Sequence, residues 1–260
     1  MNKIDIFITS YLRSEYTANT IRYLKERTTY PYRLFLINND GDAAHGGNEQ
    51  FRNQVDYMIS PSKNLGVHAA WNLALSLAES EYFITSDNDI YVPDLRSEPN
   101  APGASISVNG MSDWLTRMVK YMDERPDYGA ISLHPHVFIG AAGIDPNDPE
   151  DVKERNMAGA VMRIMRTEAV RKAGGWEHKI EAGRNHEERT ICSRLQTAGY
   201  KVGITSRIRA YHPFGKEKGG NWGYPKEFTP EMQKHNPDLE QYVQQFDNMD
   251  AYDNKTWLPK

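Results

Sequence analysis

Potential chemistry in this 260-residue chain is most concentrated in the triplet Asp87-Asn88-Asp89. It follows the apolar run Tyr82-Phe83-Ile84-Thr85 and precedes Ile90-Tyr91-Val92. In an extended backbone, residues two apart face the same side, so the two carboxylates are expected to converge on one cation. Carboxylate oxygens suit Mg2+ or Mn2+, hard ions that share their coordination with substrate phosphates. For the tripeptide alone, the bland alternative is a solvated turn. A second acidic pair, Glu187-Glu188, opens a helical stretch, where a carboxylate can meet a hydroxyl and take its proton. His134 and His136 alternate around Pro135, but without a third ligand nearby they are assigned no role.

These groups need elements to hold them. Residues 4–9 and 32–38 are β-rich runs that end in polar residues, with 55–59 a third strand and 82–85 a fourth. Residues 15–27 place Ala18, Ile21, Tyr23 and Leu24 on one helical face, and Ala70, Trp71, Ala74 and Leu77 have the same spacing after the loop 61–66. Farther along, 114–122 reads as helix, 129–133 and 157–165 as buried strands, and 167–172 and 187–197 as helices closed by Gly174-Gly175 and Gly199. Breakers between 96 and 110 predict a loop. In the tail, Leu239, Tyr242, Val243 and Phe246 form an apolar stripe that predicts docking on the parent domain or a homodimer contact.

Strands alternating with helices predict an α/β fold with a mostly parallel, Rossmann-like central sheet flanked by helices, plus a C-terminal helical or loop extension. In such open sheets ligands bind outside the carboxyl ends of the strands. The polar segments 10–13, 38–42 and 86–89 all fall at such ends.

The charge distribution is uneven. Residues 1–150 hold 12 Lys/Arg against 20 Asp/Glu, whereas 151–220 hold 15 against 8. The basic stretch is either a solvated face or a site for an anionic ligand such as a diphosphate, a lipid phosphate or nucleic acid. With Cys192 as the only cysteine, no apolar run of membrane-spanning length and an acid early in the N-terminal segment, a soluble, cytoplasmic protein is expected.

Taken in order, several segments resemble the family 2 glycosyltransferases of the GT-A fold. Asn64-Leu65-Gly66, Ala70-Trp71-Asn72 and Tyr82 through Asp89 look like that family's Asn-x-Gly loop, Ala-x-Asn helix and strand leading into Asp-x-Asp. Ser10-Tyr11-Leu12-Arg13 is similar to its Thr-Tyr-Asn-Arg, with Leu12 replacing the Asn. In Asn38-Asn39-Asp40-Gly41-Asp42, Asn38 stands where an Asp is usual; an amide can both donate and accept, so it can still meet uracil. Gly174-Gly175-Trp176-Glu177, the helix from His186 to Arg194 and Tyr211-His212-Pro213 extend the likeness to about residue 215.

The resemblance implies a metal-dependent, inverting transferase that moves a sugar from a nucleotide sugar, preferably a UDP-sugar, to an acceptor hydroxyl. It implies Asp89, Asp87 and His212 as ligands of Mn2+ or Mg2+, with Asp87 shared with the donor ribose. Glu188 is the implied catalytic base, with Glu187 the alternative. Ser10, Tyr11, Arg13, Asn38, Asp40, Asn64, Gly66, Asp87 and Asn88 would line the donor pocket, and Lys216 and Lys218 would close over the diphosphate as a lid. Residues 1–220 would form the GT-A domain, with 1–95 holding the nucleotide sugar, 111–220 the acceptor, and 221–260 an extension. The acceptor stays open among glycan, lipid-linked sugar, protein and hydroxymethylated DNA. Two rivals are a sugar-nucleotide nucleotidyltransferase, against which the absence of glycine in 10–15 counts, and a non-catalytic nucleotide-sugar or glycan-binding protein.

Overall fold

The structure, a computed structural model, describes residues 3–11, 13–40, 47–93, 95, 113–135, 150–177 and 186–212, the side chains of 186 and 187 excepted. The predicted loop at 96–110, the tail at 221–260, and Lys216 and Lys218 lie outside them.

Strand β1 (Ile4–Ser10) is buried along its whole length because both faces of the sheet are covered. It lies between β2 (Tyr32–Asn38) and β4 (Tyr82–Asp87), parallel to both, with the short β3 (Tyr57–Ile59) outside β2. Beyond β4 the sheet continues through β7 (Arg163–Arg166), β5 (Tyr128–Pro135), β8 (Lys201–Ala210) and β6 (Val152–Arg155), in the order β3-β2-β1-β4-β7-β5-β8-β6.

Side chains alternate between two cores. Ile4, Ile6 and Ile8 pack with Ile21 and Leu24 of α1 (Ser14–Arg27) and with Trp114 and Met118 of α3 (Trp114–Glu124). Phe7, Phe35 and Phe83 face α2 (Gly66–Leu77), α4 (Thr167–Lys172) and α5 (His186–Thr197). Each such large side chain contributes about 1.5–3 kcal/mol on burial. Asp5 interrupts the apolar run yet is fully buried, and it is satisfied by Arg33 Nε at 2.7 Å and the N–H groups of Glu79 (2.9 Å) and Ser80 (3.1 Å). Asp113 caps α3 by accepting from Thr116 N at 2.8 Å and also holds the turn before β2 through Tyr30 N at 2.7 Å.

The structure corrects or extends the expectations in three places. The predicted strand at 157–165 is a strand only from Arg163; residues 157–162 form a loop, with Met162 in the left-handed region at φ 45°. Its small apolar residues are buried because they pass beneath α5, so burial there has no strand behind it. Second, the sheet is mostly parallel as expected, through β1–β4 and in β5 with β8, while β7 runs antiparallel to both β4 and β5 and β6 antiparallel to β8. Third, β8 is the longest of the described strands and was not predicted. Thr205, Ser206, Arg207 and Arg209 obscure its alternation, and the register jumps from Ser132↔Ile204 to His134↔Arg209, which leaves three extra residues on β8.

Candidate active site

The ends of β1, β2 and β4 stand side by side, with Ser10 paired to Asn38 and Thr9 to Asp87. This is the edge where ligands bind in open parallel sheets. Around β2 the loops are tied by amides and carboxylates. Asn38 Oδ1 accepts from Asp40 N at 3.3 Å, and Asn48 Nδ2 reaches both Asp40 oxygens at 3.1 and 2.9 Å. Asn39, which the sequence did not single out, accepts from Leu65 N at 2.7 Å and so joins the β2 end to the entrance of α2. Asn64 accepts from Gly66 N at 2.7 Å, and Gly66 adopts φ 70°, a conformation that favours glycine. Tyr11 is buried in the same region, and Ser10 donates to Ile37 O at 3.4 Å.

After β4 the chain turns. The Asn88 side chain donates to Thr17 Oγ1 and its carbonyl accepts from Thr20 Oγ1, both at 2.8 Å, which pins the turn to α1. The extended-backbone premise for Asp87 and Asp89 therefore fails: Asp87 closes the strand half-buried, while Asp89 is carried by a turn into the interior. There Arg13 Nη1 meets Asp89 Oδ2 at 2.7 Å and His212 Nε2 lies 3.1 Å from Asp89 Oδ1. Arg13 reaches it from the N-cap of α1 in a left-handed conformation, φ 50°. His212 is delivered by the antiparallel bridge between Tyr91 and Tyr211, whose N–H and carbonyl groups exchange bonds at 2.9 Å. Burial by itself would raise the Asp89 carboxyl, but Arg13 and then His212 outweigh it and bring the pKa down to about 2. Among the described residues, no three His, Cys, Asp or Glu side chains gather as a ready ligand cluster, so Asp89 and His212 meet without Asp87 completing the group.

On α5, Glu188 Oε1 accepts from Ala160 N at 2.8 Å, while Ala160 O accepts from Asp87 N and from Ser86 Oγ, both at 3.3 Å. Ala158 N donates to the buried Cys192 Sγ at 3.2 Å, a second tie between the loop and α5. The Glu187 side chain lies outside the described residues. Asn72 grips Trp176 twice, accepting from its N at 2.9 Å and donating to its O at 3.0 Å. Glu177 O lies 2.7 Å from His68 Nδ1, so α2 carries the segment that leads toward α5. Beneath them, the buried Arg163 donates to Ala158 O at 3.0 Å and Thr85 Oγ1 at 3.3 Å, between Trp71 and Trp176. Sequence pattern gave no sign of Arg163, because one arginine in an apolar segment has no periodicity.

Residues 5–99 match the model of glycosyl transferase family 2. S. aureus TarS (residues 1–349) superposes with a TM-score of 0.56 at 14% identity, over 81% of this chain and 60% of that one. The mannosyltransferase PcManGT from Pyrobaculum calidifontis, in complex with GDP-Man and Mn2+, gives 0.59 at 12% identity, over 98% and 82%.

The fold is GT-A.

GalNAc-T7, solved with UDP, GalNAc and Mn2+, shares it at a TM-score of 0.57 and 12% identity, over 99% of this chain and 58% of that one. The chain thus spans about 60% of the TarS fragment, and no curated protein sequence matches it. The family match covers the half of the GT-A sheet that carries Ser10, Asn38 and the Asp87–Asp89 turn. None of the helices described is long and apolar enough to cross a membrane.

Proposed function

We propose that this chain is a divalent-metal-dependent, inverting glycosyltransferase that moves a sugar from a nucleotide sugar, in the first instance a UDP-sugar, to an acceptor hydroxyl. One observation carries this reading: Ala160 ties the Asp87 end of β4 to the Glu188 carboxylate, so the acid proposed for the phosphate side and the proposed proton acceptor are tethered to one strand end.

The donor half would be 1–95 and the acceptor half 111–220. Asp89 and His212 offer one carboxylate and one imidazole, a donor set that suits Mn2+ better than Mg2+. Asp89 is kept ionised by its neighbours, so the charge a cation needs is already in place. Asp87 would divide its oxygens between the ion and the donor ribose. Held there, a divalent ion would supply Lewis-acid stabilisation of the departing diphosphate. Arg13 compensates Asp89 in the meantime. Ser10, Asn38 and the Asn64–Gly66 turn would shape the nucleoside pocket, with backbone and amide groups setting its outline.

Glu188 would take the proton from the attacking hydroxyl. Its bond from Ala160 N orients the carboxylate through Oε1. A single displacement with such a base inverts the anomeric centre. TarS solved with UDP-GlcNAc and PcManGT solved with GDP-Man support a nucleotide-sugar donor on this fold.

The test is donor hydrolysis across a panel of UDP- and GDP-sugars, with Mn2+ or with chelator. Release of nucleoside diphosphate that needs metal, and that disappears in both Asp89→Ala and Glu188→Gln, supports the reading. Binding of donor without turnover in any metal would replace it with a nucleotide-sugar-binding protein.

A further inference from the structure

The basic stretch of the chain divides once it is folded. Among the described residues, several of its arginines and lysines are tied down: Arg166 to Glu81, Arg207 to Asp151, Lys201 to Asp127 and Glu154, and Arg194 to the carbonyls of Gly174 and Gly175. Arg163 is fully buried and bonded. Arg209 is the exception among the buried ones. It is 7% exposed, its Nε is sealed without a hydrogen-bond partner, and none of the described groups bonds its guanidinium. A buried guanidinium is normally paired, because taking the charge out of water costs several kcal/mol. Burial lowers its pKa, yet an arginine keeps its proton in proteins.

Its position is built. The three extra residues of β8 are stabilised where the Thr205 hydroxyl donates to Ile208 O at 2.5 Å and accepts from His134 N at 3.1 Å. That fold-back sets Arg209 directly opposite His134, so the two side chains share one face of the sheet. Leu133 and Ala210, their neighbours in sequence, belong to the opposite core. Ser132 precedes His134 by one pleat on the same face, and its buried Oγ also has no partner. This is the face on which α5, the helix of Glu188, packs against β5 and β8. Two strands, β7 and β5, separate β8 from β4, so Arg209 stands roughly 14 Å from the strand that ends in Asp87.

We propose that Arg209, with Ser132 and His134 beside it, is a seat for an oxyanion, a phosphate or carboxylate group carried by the acceptor. The word acceptor rests on the glycosyltransferase reading; the anion seat itself does not. A planar fork of N–H donors takes two oxygens of one anion, a hydroxyl supplies a third contact, and the lateral distance from β4 separates this seat from the donor diphosphate.

The experiment is thermal melting of the full chain in sodium phosphate, sodium acetate and sodium chloride at equal ionic strength. Wild type is expected to gain about 2–4 °C in phosphate or in acetate over chloride, as binding to the folded state alone requires. The larger gain names the source, phosphorylated or carboxylated. Arg209→Gln should abolish the gain. If that variant does not melt cooperatively, Arg209→Lys decides, with a gain cut to half or less expected. A gain that survives unchanged in either variant, no gain in wild type, or a gain erased by saturating UDP with Mn2+ would overturn the proposal. Loss of the gain in Arg209→Gln, in a protein that hydrolyses no nucleotide sugar, would leave the anion seat standing and remove the glycosyltransferase reading.

Discussion

Asp87 and Glu188 are held by the same residue. The Asp87 N–H donates to Ala160 O at 3.3 Å, and the Glu188 carboxylate accepts from Ala160 N at 2.8 Å. A loop of small residues therefore sets the separation between the end of β4 and the start of α5, and both contacts use backbone atoms on the loop side. The roles proposed for the two acids depend on this tie, since a general base must sit within hydrogen-bond reach of the proton it takes.

Glu188→Gln keeps the shape and the bond from Ala160 N but cannot accept a proton. Its kcat for transfer or donor hydrolysis should fall about 10²–10⁴-fold, with Tm within a few degrees of wild type. Steady-state kinetics beside a melting curve checks this; an unchanged kcat would remove Glu188 as base and turn attention to Glu187.

Arg13 neutralises a buried carboxylate, so Arg13→Met removes the cation bonded to Asp89 Oδ2 and leaves His212 beside Oδ1. Without metal the variant should lose about 3–5 kcal/mol, the usual cost of stripping one partner from a buried pair. Mn2+ should restore more stability to the variant than to wild type, because the ion replaces the missing positive charge. Chemical denaturation with and without Mn2+ reads both effects; equal responses of the two proteins to Mn2+ would place the ion elsewhere.

Asp5 has its carboxyl below the ordinary 3.8. Burial opposes this, but Arg33, the Glu79 N–H and Ser80 together overcome it. A group depressed in the folded state contributes stability that is present above its ordinary value and lost as pH falls through the folded one. Wild-type stability should therefore be level above about pH 5 and fall below pH 4, and Asp113, depressed mainly through Thr116 and Thr29 against burial, adds to the fall. Asp5→Asn should lower stability at pH 7 by about 2–4 kcal/mol and flatten the acid limb. Urea midpoints from pH 3 to 7 measure it, and a parallel acid limb in the variant would contradict the assignment.

Gly175 adopts φ 66°, and a Cβ there would stand 2.5 Å from Asn72 Oδ1. Gly175→Ala should cost about 1–3 kcal/mol by strain and by pushing Trp176 off α2. Combining it with Asn72→Ala removes the clash, so the double variant should be less destabilised than the sum of the single ones. Strict additivity in Tm and urea midpoints would mean that the backbone conformation, not the contact, accounts for the loss.

The sequence by itself determined the elements whose pattern is local: strands β1, β2 and β4, the helices that cover them, and the polar residues at the strand ends. Buried strands of a parallel sheet announce themselves as apolar runs, and a helix by its 3.6-residue spacing. Tertiary structure alone decided what those ends do to one another. It carried Asp89 past the strand end into a buried turn and gave it Arg13 and His212, distant residues brought in by a left-handed N-cap and a bridge between Tyr91 and Tyr211. It set Glu188 beside Asp87 through Ala160, and Arg209 beside His134 through an insertion in β8. These links run through backbone atoms and strand register, which no side-chain type records, so they appear only when the sheet has formed.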